Sequence, residues 1–325
     1  MEDALFEQRT DLGELLQAMN ALEHQVKKLI VGQEEMIRLL MAAILADGHV
    51  LIEGLPGVAK TLTARLVAKC LHAKFGRIQF TPDLMPSDVL GTNIYNPAHT
   101  SFEFKRGPVF GNIVLIDEIN RAPAKTQSAL FEVMEERQVT MDGISYPLTP
   151  PFIVLATQNP IEQEGTYRLP EAQLDRFLFK VKIPYPTPEE ELLIIQRFHG
   201  MERQAILDDI EPVISGEKIV ELRRQLNTIV VDEKLMQFIA RIVTLTRNDK
   251  SIYLGASPRA SLALLQGAKA VAALAGRDFI IPDDVIGLAK PVLRHRIILT
   301  PEKEMEGVSE DEIIEKIINS IEVPR

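Results

Sequence analysis

The stretch His49-Val50-Leu51-Ile52-Glu53-Gly54-Leu55-Pro56-Gly57-Val58-Ala59-Lys60-Thr61 constrains this chain more than any other part of it. A short apolar run ends in a Gly/Pro turn, Lys-Thr follows, and a helical pattern continues. A strand that turns tightly into a helix leaves unpaired backbone N–H groups facing the turn, a ready cradle for anionic phosphate oxygens. In that layout the Lys60 ammonium reaches the β- and γ-phosphates of a nucleotide and the Thr61 hydroxyl holds Mg²⁺. The candidate nucleotide-contacting set is Gly54, Leu55, Pro56, Gly57, Val58, Ala59, Lys60, Thr61 and Leu62. One position departs from the pattern G-x-x-x-x-G-K-[ST]: Ala59 stands where the last Gly is expected. Its small side chain lets the backbone approach a ligand, although a positive φ there carries strain.

The 325 residues, 46% hydrophobic, suffice for two domains with real cores. A formal net charge of −10 disfavours a non-specific nucleic-acid surface. The single cysteine, Cys70, excludes an internal disulfide framework and sits in a helical run as a buried thiol. Met1-Glu2-Asp3 lacks the basic start of a signal peptide, and no apolar run approaches the ~18 residues of a membrane span. These features predict a soluble, cytoplasmic protein.

Hydrophobic periodicity predicts helices over about 11–30 and 34–46, a strand at 49–53, and a helix at 61–71. Strands follow at 77–80, 112–117 and 152–157, with a helix at 124–136. Residues 101–106 alternate apolar and polar as in a small hairpin, and 138–148 reads as a second hairpin turning at Asp142-Gly143. Tyr185-Pro186-Thr187-Pro188 marks a linker, after which the pattern is helix alone. The expected architecture is α/β: a parallel-sheet phosphate-loop domain with its N-terminal helices over 1–185, then an all-helical lid domain over 186–325.

The loop does not stand alone. Ile113-Val114-Leu115-Ile116 is an apolar strand ending in adjacent carboxylates, Asp117 and Glu118. Asp117 is placed to bind the Mg²⁺ shell, and Glu118 to orient and deprotonate an attacking water. A third strand, Leu155-Ala156-Thr157, runs into Gln158-Asn159-Pro160; Asn159 either opens a turn or hydrogen-bonds the γ-phosphate or the water. Arg121, Arg176 and Arg259 are candidates for neutralising charge on a transferring phosphoryl group, although a lone arginine is ordinarily a solvated surface residue. Ser257 and Pro258 are suited to cap and open the helix that carries Arg259. Lys290, Arg294, His295 and Arg296 form a basic stretch, read as a solvated lid face or an intersubunit salt-bridge surface. The six histidines show no metal-ligand spacing, so no metal is expected beyond nucleotide-bound Mg²⁺.

With these motifs the chain resembles the MoxR-type AAA+ ATPases, the group with an insertion in the second helix. The resemblance runs from about Val31 to Leu299 and rests on GLPGVAKT (54–61), FKRGPVFGNIVLIDEINRAPAKTQSALFEVMEER (104–137), LATQNPIEQEGTYRLPEAQLDRF (155–177) and GASPRA (255–260). It implies Walker A at Lys60 and Thr61, Walker B at Asp117 and Glu118, sensor 1 at Asn159, an arginine finger at Arg176 and sensor 2 at Arg259. It further implies that Gln33 approaches the adenine, that 83–106 is the helix-2 insertion, and that 138–148 is the hairpin before sensor 1. Such proteins bind ATP and Mg²⁺ and form homo-oligomers, typically hexameric rings, in which Arg176 would serve a neighbour's site. The implied function is chaperone-like remodelling, assembly or metal-loading of partners, among them von Willebrand factor A domain proteins. Two other readings stay open: a nucleic-acid motor, which the acidic balance opposes, and a slowly hydrolysing nucleotide-binding scaffold, which the Asp117-Glu118 pair opposes.

Overall fold

The computed structural model of the chain describes residues 11–160, 167, 169–199 and 209–324. Positions 161–166 and 168 of the third motif therefore lie outside the described residues. The N-terminal helices are α1 (Gly13–Lys27) and α2 (Glu34–Leu45). Leu15, Met19, Leu22 and Val26 form the buried stripe of α1, spaced so that one face of a 3.6-residue helix turns inward.

A five-stranded sheet follows, in the order β2-β5-β8-β1-β9. Its members are β1 (His49–Gly54), β2 (Phe75–Gln79), β5 (Ile113–Asp117), β8 (Ile153–Gln158) and β9 (Phe177–Ile183), and every pairing is parallel. Helices α3 (Lys60–Cys70) and α5 (Ala124–Glu136) connect strands. Both faces are covered, so β5 is apolar from Ile113 to Ile116 rather than alternating: Ile113 and Leu115 enter one core cluster, Val114 and Ile116 the other.

The fifth strand was not foreseen. Phe177-Leu178-Phe179-Lys180-Val181-Lys182-Ile183 carries two lysines, which blurs the pattern of a buried strand. The structure accommodates one of them by pairing Lys180 Nζ with Glu53 at 2.7 Å.

Residues 101–106 are one arm of a hairpin rather than a whole one: β4 (Ser101–Arg106) pairs antiparallel with β3 (Gly91–Asn96), which a short helix, α4 (Pro86–Leu90), precedes. The second hairpin joins β6 (Gln138–Met141) to β7 (Ile144–Pro147), and its turn residues Asp142 and Gly143 both have positive φ, as an Asp-Gly turn of this kind needs. The Asn93 amide donates to Asp142, and Phe104 stacks on Tyr146 at 4.3 Å, so the two hairpins pack together.

After α6 (Glu171–Leu174), β9 and α7 (Pro188–Phe198), the chain builds α8 (Gly216–Arg223), α9 (Glu233–Asn248), α10 (Pro258–Leu274), α11 (Pro282–Leu293), α12 (Pro301–Met305) and α13 (Glu310–Asn319). Ser257 caps α10, accepting from the Arg259 N–H at 3.2 Å, with Pro258 in the first turn. This part is not purely helical, because β10 (Ile252–Leu254) and β11 (Ile298–Leu299) pair antiparallel. Among the described residues, no helix is long and apolar enough to cross a membrane.

The basic stretch at the end of α11 corrects the expectation of a solvated face. Lys290 does reach Glu315 at 2.8 Å near the surface, but Arg294, His295 and Arg296 are buried. They pack against β9, whose outer edge has no partner strand among the described residues and therefore leaves carbonyls to satisfy. Arg294 Nη1 donates to Lys180 O at 3.3 Å, His295 Nε2 to Phe177 O at 2.9 Å, and Arg296 to Leu178 O at 3.2 Å and Phe177 O at 2.6 Å. Arg296 Nε also pairs with Asp175 at 2.7 Å, and Arg294 Nε with Asp311 at 2.9 Å. Burial and the adjacent Arg296 charge hold His295 far below its ordinary pKa, so the ring is neutral.

Candidate functional site

At the end of β1 the chain turns through Gly57 at φ +91° and Ala59 at φ +57° before α3 starts at Lys60. The strain anticipated at Ala59 is thus present: an alanine occupies the left-handed region that glycine enters freely. No side chain caps α3. An anionic ligand seated at such a helix start is met by the backbone N–H groups of its first turn. Lys60 Nζ donates to Gly54 O at 2.6 Å, which folds the ammonium back over the turn. Gln33, itself at φ +56°, donates from Nε2 to Val58 O at 3.1 Å, and its Oε1 is buried without a hydrogen-bond partner. A buried orphan acceptor beside a phosphate loop suits a donor such as an exocyclic amine.

The strand order explains why distant motifs meet. β8 lies between β5 and β1, so parallel strands bring Asp117, Asn159 and the loop to one edge. Asp117 is 8% exposed; its Oδ2 accepts from Arg77 Nε at 2.7 Å and its Oδ1 from the Thr157 hydroxyl at 3.5 Å. Glu118 follows with φ +59°, its N–H donating to Thr157 Oγ1 at 3.0 Å. Glu118 Oε2 accepts from Gln79 Nε2 at 3.0 Å and pairs with Arg121 Nε at 3.0 Å. Asn159, one residue past β8, is buried.

Arg176 and Arg259 do not join this edge. Phe177 is in register with His49 at the opposite end of β1, five residues before Gly54, so Arg176 lies roughly 16 Å away along the strand. Arg176 Nη1 donates to Phe131 O at 2.6 Å and pairs with Glu135 at 3.2 Å near the end of α5. Arg259 meets the same carboxylate, Nη2 to Oε1, at 2.7 Å. The start of α10 is tied to the end of α6 as well, since the Ser257 hydroxyl donates to Asp175 at 2.8 Å. One edge of the sheet thus holds the loop and its carboxylates, and the other holds a pair of arginines.

Sequence reasoning missed Arg77, Gln79, Thr157, Glu135 and Asp175. Gln79 carried a usable signal, being a polar residue at the end of an apolar strand, and it lies in register with Asp117. Glu135 carried none, since it sits in a charged helical run that reads as a solvated face. Among the described residues no group of three or more His, Cys, Asp or Glu side chains could hold a metal ion.

Comparison with known proteins bears on the family and the fold. Residues 49–179 match the ATPase family associated with various cellular activities (AAA), and residues 244–317 match the AAA lid domain. The chain is 48% identical over 304 residues to the uncharacterised protein YeaC of Bacillus subtilis, covering 94% of each. It is 43% identical to Chaperone MoxR1 of Mycobacterium tuberculosis, covering 93% of this chain and 81% of that protein. It is 31% identical to Protein MoxR of Methylorubrum extorquens, covering 87% and 88%. A crystal structure of a candidate ATPase from Cytophaga hutchinsonii superposes with a TM-score of 0.89 at 42% identity, over 97% of both chains.

Proposed function

The chain belongs to the MoxR family of AAA ATPases, and on that premise we propose that it hydrolyses ATP between copies of itself to remodel partner proteins. The observation that carries the reading is the separation of the two halves of a phosphoryl-transfer site onto opposite edges of one sheet. Gly54–Leu62 cradles the triphosphate, Lys60 neutralises it, and Gln33 Oε1 accepts from the adenine amine. Thr61 and Asp117 would hold Mg²⁺, which when bound offsets phosphate charge. Glu118 takes the proton of the attacking water, and Asn159 orients that water or the γ-phosphate.

Arg176 cannot reach the loop of its own chain, so it acts on a neighbour's nucleotide. Arg259, held on the same carboxylate, acts there with it. A closed ring, hexameric by family habit, gives every site such a neighbour. The work done is chaperone-like, as the name of the mycobacterial relative suggests. Its partners would include von Willebrand factor A domain proteins, assembled or loaded with metal.

The test separates binding from chemistry. Glu118→Gln keeps shape and hydrogen bonding but cannot take a proton, so turnover should fall by about 10²–10⁴-fold with nucleotide affinity retained. Lys60→Ala should instead lose nucleotide binding in a fluorescent-nucleotide titration. Near-normal turnover in Glu118→Gln would assign the base elsewhere.

A further inference from the structure

We propose that Glu135 is a positioning residue: from the end of α5 it aligns Arg176 and Arg259 as a pair for a neighbouring copy's γ-phosphate. The inference rests on the cross-subunit reading above and adds to it a residue that holds none of the five roles given to Walker A, Walker B, sensor 1, the arginine finger and sensor 2.

The geometry of the two contacts carries it. Arg176 approaches Glu135 with Nη1 at 3.2 Å, and Arg259 approaches it with Nη2 at 2.7 Å. Each contact thus occupies one guanidinium nitrogen, and a guanidinium has five N–H donors. Donors remain on each arginine for a phosphate while the carboxylate holds one nitrogen of each. Arg176 Nε is buried without a hydrogen-bond partner among the described residues, and Nη1 anchors the side chain on Phe131 O and Glu135. Arg259 is 51% exposed, and without an anchor its long side chain would sample many rotamers.

Charge points the same way. Two guanidiniums brought to one place repel each other, and the carboxylate between them offsets that repulsion until the triphosphate arrives. Glu135 is itself 39% exposed, so the pair adds little to folding, as exposed ion pairs generally do. Its effect is on alignment: the contact couples an arginine beside β9 to one on α10 of the lid. A lid displaced from its seat would take Arg259 out of register with Arg176.

The test is Glu135→Gln in the full-length chain, which keeps size and one acceptor but removes the charge. Its kcat should fall about 10–100-fold, the usual cost of removing a group that orients a site residue. The KM for ATP and the affinity of the chain's own loop for fluorescent nucleotide should be unchanged, and so should the urea unfolding midpoint.

Mixing experiments then locate the defect. Glu135→Gln subunits keep a good Glu118 but present poor arginines, whereas Glu118→Gln subunits keep good arginines. Activity in the mixture should therefore exceed the sum of the two variants and rise with protein concentration. Arg176→Ala mixed with Glu118→Gln is the reference. If the reference recovers and the Glu135→Gln mixture does not, the Glu135 assignment is overturned while the cross-subunit reading stands. If neither recovers, the cross-subunit reading itself fails. A Glu135→Gln variant with wild-type kcat, or one that loses stability in proportion to its rate, also overturns the proposal.

Discussion

His49 makes stability depend on pH near neutrality, and the size of the effect follows from its surroundings. The ring opens β1 and is buried: Nδ1 accepts the Val154 N–H at 3.0 Å, and Nε2 donates to Met134 O at 3.3 Å. That arrangement needs the neutral tautomer. Burial, reinforced by the Arg137 charge nearby, lowers the pKa to about 3 from 6.5. A base whose pKa is depressed on folding binds protons more weakly in the folded state. Its contribution is complete above the unfolded value of about 6.5 and is lost as pH falls below it. Between about pH 7.5 and 5.5 the unfolded chain takes up nearly one proton that the folded chain refuses, which costs about 1.4 kcal/mol from His49 alone. His295 is shifted in the same direction, so the whole protein should lose more than that.

His49→Asn isolates the first residue, because it keeps an acceptor for the Val154 N–H but cannot titrate. Urea unfolding of both proteins without nucleotide should show the wild type's advantage shrinking by about 1.4 kcal/mol over that pH interval. Carboxylates titrate alike in both and cancel. An advantage that stays constant with pH would refute the reasoning.

Two further outcomes are expected. Ala59→Gly removes a left-handed alanine that costs about 1–2 kcal/mol, against about 0.4–1 kcal/mol of added unfolded-chain entropy, so a urea titration should show a gain of up to about 1.6 kcal/mol with ATP affinity retained. Arg296→Met leaves Asp175 without its cation and the β9 carbonyls without donors, so unfolding free energy should drop by about 3–5 kcal/mol; a loss below about 1 kcal/mol would show that the buried ion pair contributes little.

Much of the site was legible in local sequence because phosphate binding is a local problem. A strand, a glycine turn and a helix start are contiguous in Gly54–Leu62, and two carboxylates ending an apolar strand need no partner to be noticed. The same holds for the cap at Ser257 and the Asp142-Gly143 turn, where a few adjacent residues set the backbone. What tertiary structure alone decided is which of these meet. Strand order, which no local pattern encodes, puts β8 between β5 and β1 and so gathers Asp117, Asn159 and the loop. Register puts Phe177 beside His49 and so leaves Arg176, one residue before it, at the end of β1 remote from the phosphates. The burial of Arg294, His295 and Arg296 was invisible for the same reason: a basic run reads as solvated until a sheet edge with unpaired carbonyls packs against it. Glu135 is the clearest case, a solvent-facing glutamate by every local criterion, given its meaning only when α5, β9 and α10 bring two arginines from distant positions onto one carboxylate.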